Sequence, residues 1–231
     1  MLENHRSMTR GAGRVAIAAA LVLTIALAAI GTPVASAGCG GVETAAPKRK
    51  VAPRPPLAIG DSSMLLALPA LARVGYRVNA RGCRQFSEGL RVMRQARRHH
   101  RLPRLIVLAL GADASISGGQ IQAAEKVAGP KRKLGLVTPR ELGGGQSNDA
   151  DVIRNAGQRD PDRVKVLDWV HYSAGHNNWF QPDGLHLTFS GAKAFARLLR
   201  KVVPLARSPA HGKGGNAPGR ARGSAFARNW A

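Results

Sequence analysis

The chain predicts an α/β fold, a parallel sheet with helices on both faces, and three observations predict it. Short apolar runs at 56–59, 76–78, 105–110, 134–137 and 164–167 alternate with stretches of helical periodicity. The run Leu105-Ile106-Val107-Leu108-Ala109-Leu110 has no polar position, as a strand buried on both faces requires, so it belongs in the middle of the sheet. Hydrophobic residues make up 44% of the 231, enough to bury a core. No repeat of 20 to 50 residues is visible, which excludes a solenoid.

Taken in order, the first segment reads as an address. Arg6, Arg10 and Arg14 precede an apolar stretch over 15–30, followed by Gly31, Pro33 and the small residues Ala35-Ser36-Ala37. These are the three regions of a signal peptide, 1–37, and an apolar run of 16 is short for a bilayer span. Export with cleavage after Ala37 is the expectation, leaving 194 residues that begin Gly38-Cys39. The alternatives are an uncleaved N-terminal anchor and a lipidated Cys39. Residues 38–56 carry +3 and include AAPKRKVAPRPP, a basic Pro-rich linker expected to be unfolded, as is the Gly-, Ala- and Arg-rich tail 205–231, which carries +5. The folded domain is expected over 57–204.

Within it, 73–104 carries +9 of the formal +22. On a helix starting at Phe86, Leu90, Val92, Met93 and Ala96 share one face, and Arg91, Arg94, Arg98 and Arg101 form a stripe beside it. The stripe is either a solvated surface or a docking surface for an anionic polymer. His99 and His100 end that helix and need no further role.

Two constellations carry chemistry. The first strand runs into Gly60-Asp61-Ser62-Ser63 and then the helical pattern Met64, Leu65, Leu68, Leu71, which sets the Ser62 hydroxyl at a helix N-terminus at the carboxyl edge of the sheet. Backbone N–H groups there can stabilise a developing negative charge; alone, the same tripeptide is also a good turn and N-cap. Asp183-Gly184-Leu185-His186 precedes the last helix, expected over 191–203, and sets a carboxylate three residues from an imidazole. Ser62, His186 and Asp183 supply a nucleophile, a base and the acid that orients the base.

In these residues the chain resembles the SGNH (GDSL-type) hydrolases, most of all the extracytoplasmic SGNH domains of acyltransferase-3-class peptidoglycan O-acetyltransferases. The resemblance rests on Gly60-Asp61-Ser62, Arg84-Gln85, Leu110-Gly111-Ala112-Asp113 and Asp183-Gly184-Leu185-His186, with Pro69 and Val166-Leu167-Asp168-Trp169 in support, and runs from about 57 to 199. It implies a three-layer α/β/α sandwich of the flavodoxin-like type with a roughly five-stranded parallel sheet. It also implies Ser62 as nucleophile, His186 as base, Asp183 as its acid, and oxyanion donors at the Ser62 backbone N–H and at the Gly82-Cys83 turn. Arg84 and Gln85, with Trp179 and Phe180, are the residues expected against substrate. One position departs: the family's third block carries Asn, a side-chain donor to the oxyanion, where this chain has Asp113. An ionised carboxylate there opposes the developing charge, and a protonated one could donate.

Five of the ten aromatics, Trp169, Tyr172, Trp179, Phe180 and Phe189, fall within 21 residues around Asp183 and His186. Phe189 and Trp169 are read as core caps, while Trp179 and Phe180 follow the polar run His176-Asn177-Asn178 and read as a loop over the site. His171 and His176 are read as polar loop residues, so no metal is expected, and no cofactor. Cys39 and Cys83 exclude a structural zinc site by number and can make one disulfide, which the length of the intervening linker and an exported setting favour. The functions that follow are an exported serine esterase or O-acyltransferase acting on acylated cell-envelope glycan or a small acyl ester, or a non-catalytic module of the same fold held to anionic polymer. A monomer is expected. Nucleic acid is not an expected partner, because export and the scarcity of aromatics outside the site oppose the suggestion of charge.

Overall fold

The computed structural model describes residues 39–146 and 148–207. The expected signal peptide, 1–37, and most of the expected tail lie outside the described residues. Among those described, no helix is long and apolar enough to cross a membrane.

Six strands form one sheet: β1 (Glu43–Ala45), β2 (Leu57–Gly60), β3 (Arg77–Ala80), β4 (Leu105–Ala109), β5 (Lys133–Val137) and β6 (Val164–Leu167), in the order β1-β3-β2-β4-β5-β6. The pairs from β3 to β6 are parallel, and β1 alone is antiparallel, on β3. The helices are α1 (Leu68–Arg73), α2 (Phe86–Arg98), α3 (Gly118–Ala128), α4 (Asn148–Arg159), the single turn α5 (Trp169–Tyr172) and α6 (Phe189–Arg200).

Alternation along β4 divides the interior into two layers. Leu105, Val107 and Ala109 join Ala58, Met64 and Leu71 in a cluster with Phe195, Leu198 and Leu199 of α6. Ile106 and Leu108 join Leu57 and Ile59 in a second cluster with Phe86 and Met93 of α2, Ile121 of α3 and Ile153 of α4. The outcome is the α/β/α sandwich, with the all-apolar strand at its centre, buried throughout. Local signals agree with the layers: Ser117 and Gln120 form a reciprocal capping box at α3, and Thr188 accepts from the Gly191 N–H at the start of α6.

The structure corrects the expected strand count and both ends of the domain. Residues 39–56 are not an unfolded linker. Glu43, Thr44 and Ala45 pair with Ala80, Asn79 and Val78, and Val51 and Ala52 are buried. The edge of β3 offers unpaired backbone groups to any extended segment that reaches it, so three residues suffice without apolar patterning. At the other end Val203–Ala206 is a short helix with Ala206 buried, and Arg207 donates through Nε to the Val51 carbonyl, which extends the packed region past 204. The expected disulfide is present: Cys39 and Cys83 are bonded with Cα atoms 5.0 Å apart. Its sulfur is thereby committed, which removes the lipidated Cys39 alternative.

The basic stripe is smaller than the helical wheel suggests. Arg91 pairs with Glu88 at 2.8 Å, and Arg101 lies beyond the end of α2, where His99 is the cap residue. Arg94 and Arg98 remain as exposed cations on the helix.

Candidate active site

Strand order sets the place. The chain passes from β2 to β3 on one side and then crosses to β4 on the other, so the carboxyl ends of β2 and β4 flank a topological switch point, the usual crevice of open α/β sheets. Register sets the level: Gly60 lies beside both Ala80 and Ala109. The segments 61–63, 81–84 and 110–113 therefore leave the sheet together, and the Asp61 and Arg81 N–H groups donate to the Ala109 and Gly60 carbonyls at 3.1 and 3.2 Å. This brings Ser62, the Gly82-Cys83 turn and the Asp113 loop to one edge.

Asp61, read from sequence only as part of a turn, braces this edge. Its Oδ1 accepts from the Ser63 N–H and hydroxyl at 3.0 and 2.6 Å, and its Oδ2 accepts from the Ala112 N–H at 3.1 Å, across from the next strand. The side chain is 1% exposed, and burial raises its pKa to about 6 against those hydrogen bonds, with Asp113 adding repulsion. A carboxyl whose folded pKa is raised stabilises the fold below its unfolded pKa of 3.8 and loses that contribution as pH rises through about 6. The unfolding free energy of the wild type is therefore expected to fall, relative to Asp61→Asn, by on the order of 3 kcal/mol between pH 3.5 and pH 7 in urea titrations. A difference that stays constant over that range would mean that Asp61 is not desolvated. A carboxylate directly after an all-apolar strand is the sequence signal for this role.

His186 and Asp183 form a finished couple. The imidazole Nδ1 lies 2.6 Å from Asp183 Oδ2, and Asp183 Oδ1 accepts from the Leu185 and His186 N–H groups at 2.9 Å each. Partial burial pushes the Asp183 carboxyl up, but the His186 ring and the two amides outweigh it and hold it below the usual carboxylate range. Their loop is pinned from β5's side: Gly143 N–H donates to the Asp183 carbonyl at 2.7 Å, and Arg140 donates to the Gly184 carbonyl at 3.2 Å while stacking 4.1 Å over Phe180. At Gly184 φ is 70°, and a Cβ would meet the Gly144 nitrogen at 2.5 Å, so only glycine fits there. Leu185 of this loop shares a small cavity, about 20 Å3, with Asp61 and Ser63, which sets the couple beside the serine segment. Among the described residues, Ser62 Oγ takes part in no hydrogen bond and Ser62 is half-buried, while the His186–Asp183 pair is joined.

The remaining expected site residues divide. Cys83 has φ 52°, a left-handed conformation unusual for a residue with a side chain, and is held by its bond to Cys39. Asp113 is exposed; partial burial raises its pKa and the neighbouring His186 opposes the rise. Gln85 is exposed at the start of α2. Arg84 is corrected: it is 2% exposed and donates to the Gly60 and Asn79 carbonyls at 3.1 and 2.7 Å, so it ties β2 to β3 beneath the edge rather than facing substrate. Phe180 is corrected as well, being 7% exposed in the core with its ring 5.7 Å from that of Trp169. Trp179 is half-buried, stacked between His176 at 3.8 Å and Trp169 at 5.8 Å. Trp169 is a core residue as expected, whereas Phe189, expected to cap the core, is 77% exposed. As the first residue of α6, it lies where the helix has only begun to face the sheet.

No protein-family model matches the chain. It is 30% identical over 149 residues to the peptidoglycan O-acetyltransferase OatA of Listeria monocytogenes, a match over 64% of this chain and 24% of that protein. It is 25% identical over 164 residues to the O-acetyltransferase OatA of Staphylococcus aureus, over 70% of this chain and 27% of that protein. The chain thus spans about a quarter of the length of the curated relatives it matches. Among solved structures it is similar to the C-terminal catalytic domain of the Streptococcus pneumoniae peptidoglycan O-acetyltransferase A carrying a methylsulfonyl adduct. That likeness has a TM-score of 0.58 at 22% identity, over 66% of this chain and 93% of that one. A lipase/acylhydrolase from Enterococcus faecalis gives 0.52 at 15% identity, over 67% and 98%.

Proposed function

For a chain with the fold of the SGNH hydrolases, we propose the work of a serine esterase or O-acyltransferase on acyl groups of peptidoglycan, outside the cytoplasm. The observation that carries this reading is the 2.6 Å His186–Asp183 couple beside the serine-bearing edge of the sheet. Sequence relatives named as peptidoglycan O-acetyltransferases supply the substrate class.

In the proposed reaction, Ser62 Oγ attacks the acyl carbonyl carbon as His186 Nε2 takes its proton. Asp183 holds Nδ1–H, which fixes the tautomer and stabilises the imidazolium. The backbone N–H groups of Ser62 and Cys83 receive the oxyanion; neither depends on side-chain identity. The acyl–oxygen bond then breaks, the leaving alcohol takes the proton from His186, and Ser62 carries the acyl group. Water or a sugar hydroxyl, deprotonated by the same imidazole, attacks the acyl-serine and restores Ser62. The free Ser62 hydroxyl agrees with such a site before substrate arrives, since catalytic hydrogen bonds commonly tighten only in the loaded complex.

Labelling by a fluorophosphonate, followed by peptide mass spectrometry, tests this reading. Modification at Ser62 that is lost in His186→Ala supports it, and an unmodified Ser62 in folded protein overturns it. A second reading, a non-catalytic module of the same fold, is favoured by one observation, the carboxylate of Asp113 near His186.

A further inference from the structure

One face of the molecule carries a groove that the proposed reaction does not use. It runs between the arm that contains β1, the segment from Leu65 through α1, and the first turn of α6, and encloses about 920 Å3. The four large apolar side chains exposed among the described residues include Leu66, at 36%, and Phe189, at 77%, and both line it. Leu66 follows Ser62 by four residues in the same short helix, and Phe189 follows His186 by three. The groove is thus walled in part by the segments that carry Ser62 and His186.

Its charge identifies what could lie there. Lys48, Arg73 and Lys193 stand along it against a single carboxylate, Glu43, and none of the four joins an ion pair among the described residues. The other segments of the chain that could cover an exposed phenylalanine are the wrong sign: 208–231 contains Lys213, Arg220, Arg222 and Arg228 and no acid, and the leader is also basic. A second copy, at a formal +22, is repelled likewise. An exposed aromatic over an apolar floor suits the C–H face of a pyranose ring, and cations along the rim suit carboxylates attached to that sugar.

We propose that this groove is a subsite for a carboxylate-bearing amino-sugar strand, the part of a peptidoglycan chain that flanks the acylated residue. Phe189 is the stacking platform, and Lys193 and Arg73 are the carboxylate partners. The subsite rests on the reading of the site given above and extends it to the polymer. The N-terminal arm then forms a wall of the binding surface as well as an edge of the sheet.

The test uses the full chain carrying Ser62→Ala, which binds without turnover, titrated calorimetrically with a soluble peptidoglycan tetrasaccharide that retains its lactyl and peptide carboxylates. Phe189→Ala and Lys193→Glu, added singly, are each expected to weaken binding tenfold or more. Lys131→Glu, an exposed charge change at the opposite end of the sheet, should leave it within twofold. A neutral N-acetylglucosamine tetrasaccharide should bind at least fivefold more weakly than the carboxylated one. Circular dichroism of each variant verifies folding, which the exposure of Phe189 and Lys193 favours. Absence of binding, equal affinities for Phe189→Ala and its parent, or equal affinities for the two sugars overturns the subsite. Fluorophosphonate labelling of the Ser62-bearing protein keeps the two failures apart: with labelling intact, only the subsite falls, and without it the catalytic reading falls whatever the titration shows.

Discussion

Replacing Ser62 or His186 with alanine is expected to lower turnover of a small acyl ester roughly ten-thousandfold or more, with the fold unchanged. Each removes a group that acts with its partner as a unit, so the double variant should be little worse than either single one. Ser62 is half-buried at the start of a helix whose cap hydrogen bonds come from Asp61, and these persist in Ser62→Ala. His186 donates its backbone N–H to Asp183 whatever its side chain, so the loop keeps one of its ties in His186→Ala. Asp183→Asn should cost as much or somewhat less, because it misorients the base without removing it. Stopped assays on a nitrophenyl acetate, with melting curves for each variant, provide the check; equal rates for wild type and Ser62→Ala would end the enzymatic reading.

Asp113→Asn is expected to raise the acylation rate by about a hundredfold at neutral pH, the value of one preorganised side-chain donor to an oxyanion. The reasoning starts from sign. A carboxylate beside His186 opposes negative charge on the substrate oxygen, and partial burial raises its pKa while the imidazole opposes that rise. In the wild type, activity should therefore fall as pH rises through the elevated pKa of Asp113, as a neutral donor becomes a repelling anion, while Asp113→Asn shows no such fall. Pre-steady-state bursts measured from pH 4 to 8 separate the cases. Identical rates and profiles for the two proteins would remove Asp113 from the site.

What was legible in the sequence follows from what short-range chemistry can encode. The apolar run at 105–110 could only be a doubly buried strand, and it is β4. Ser62, Asp183 and His186 were marked by their turns, and the Asp183–His186 pair three residues apart is joined as read. The disulfide was expected from two cysteines and a predicted exported setting, and it is present. The arm at 43–45 was not legible, because its pairing is dictated by the open backbone edge of β3 and three residues carry no period. Phe180 and Phe189 exchanged expected surroundings for a related reason: proximity in sequence to the site says nothing of which way a ring turns. The isolated pairing with Leu187 points Phe180 inward, and the first turn of α6 leaves Phe189 out. Arg84 resembled a substrate contact by its place in the chain, yet two main-chain carbonyls within reach made burial affordable.

The bond between Cys39 and Cys83 closes a covalent ring over a separation of 44 residues, and the ring encloses β2, the serine segment, α1 and β3. Closing a loop of that length removes about 4 kcal/mol of freedom from the unfolded chain on an entropic account. The more particular effect is local. Cys83 occupies a left-handed conformation that disfavours a residue with a side chain by roughly 1–2 kcal/mol, and the sulfur bridge is what holds it there. Reduced, the same turn has reason to relax, taking with it the amide assigned to the oxyanion. On the acyl-transfer reading, one covalent bond near the start of the described chain thus braces the backbone from which an oxyanion donor would project, a turn 44 residues away.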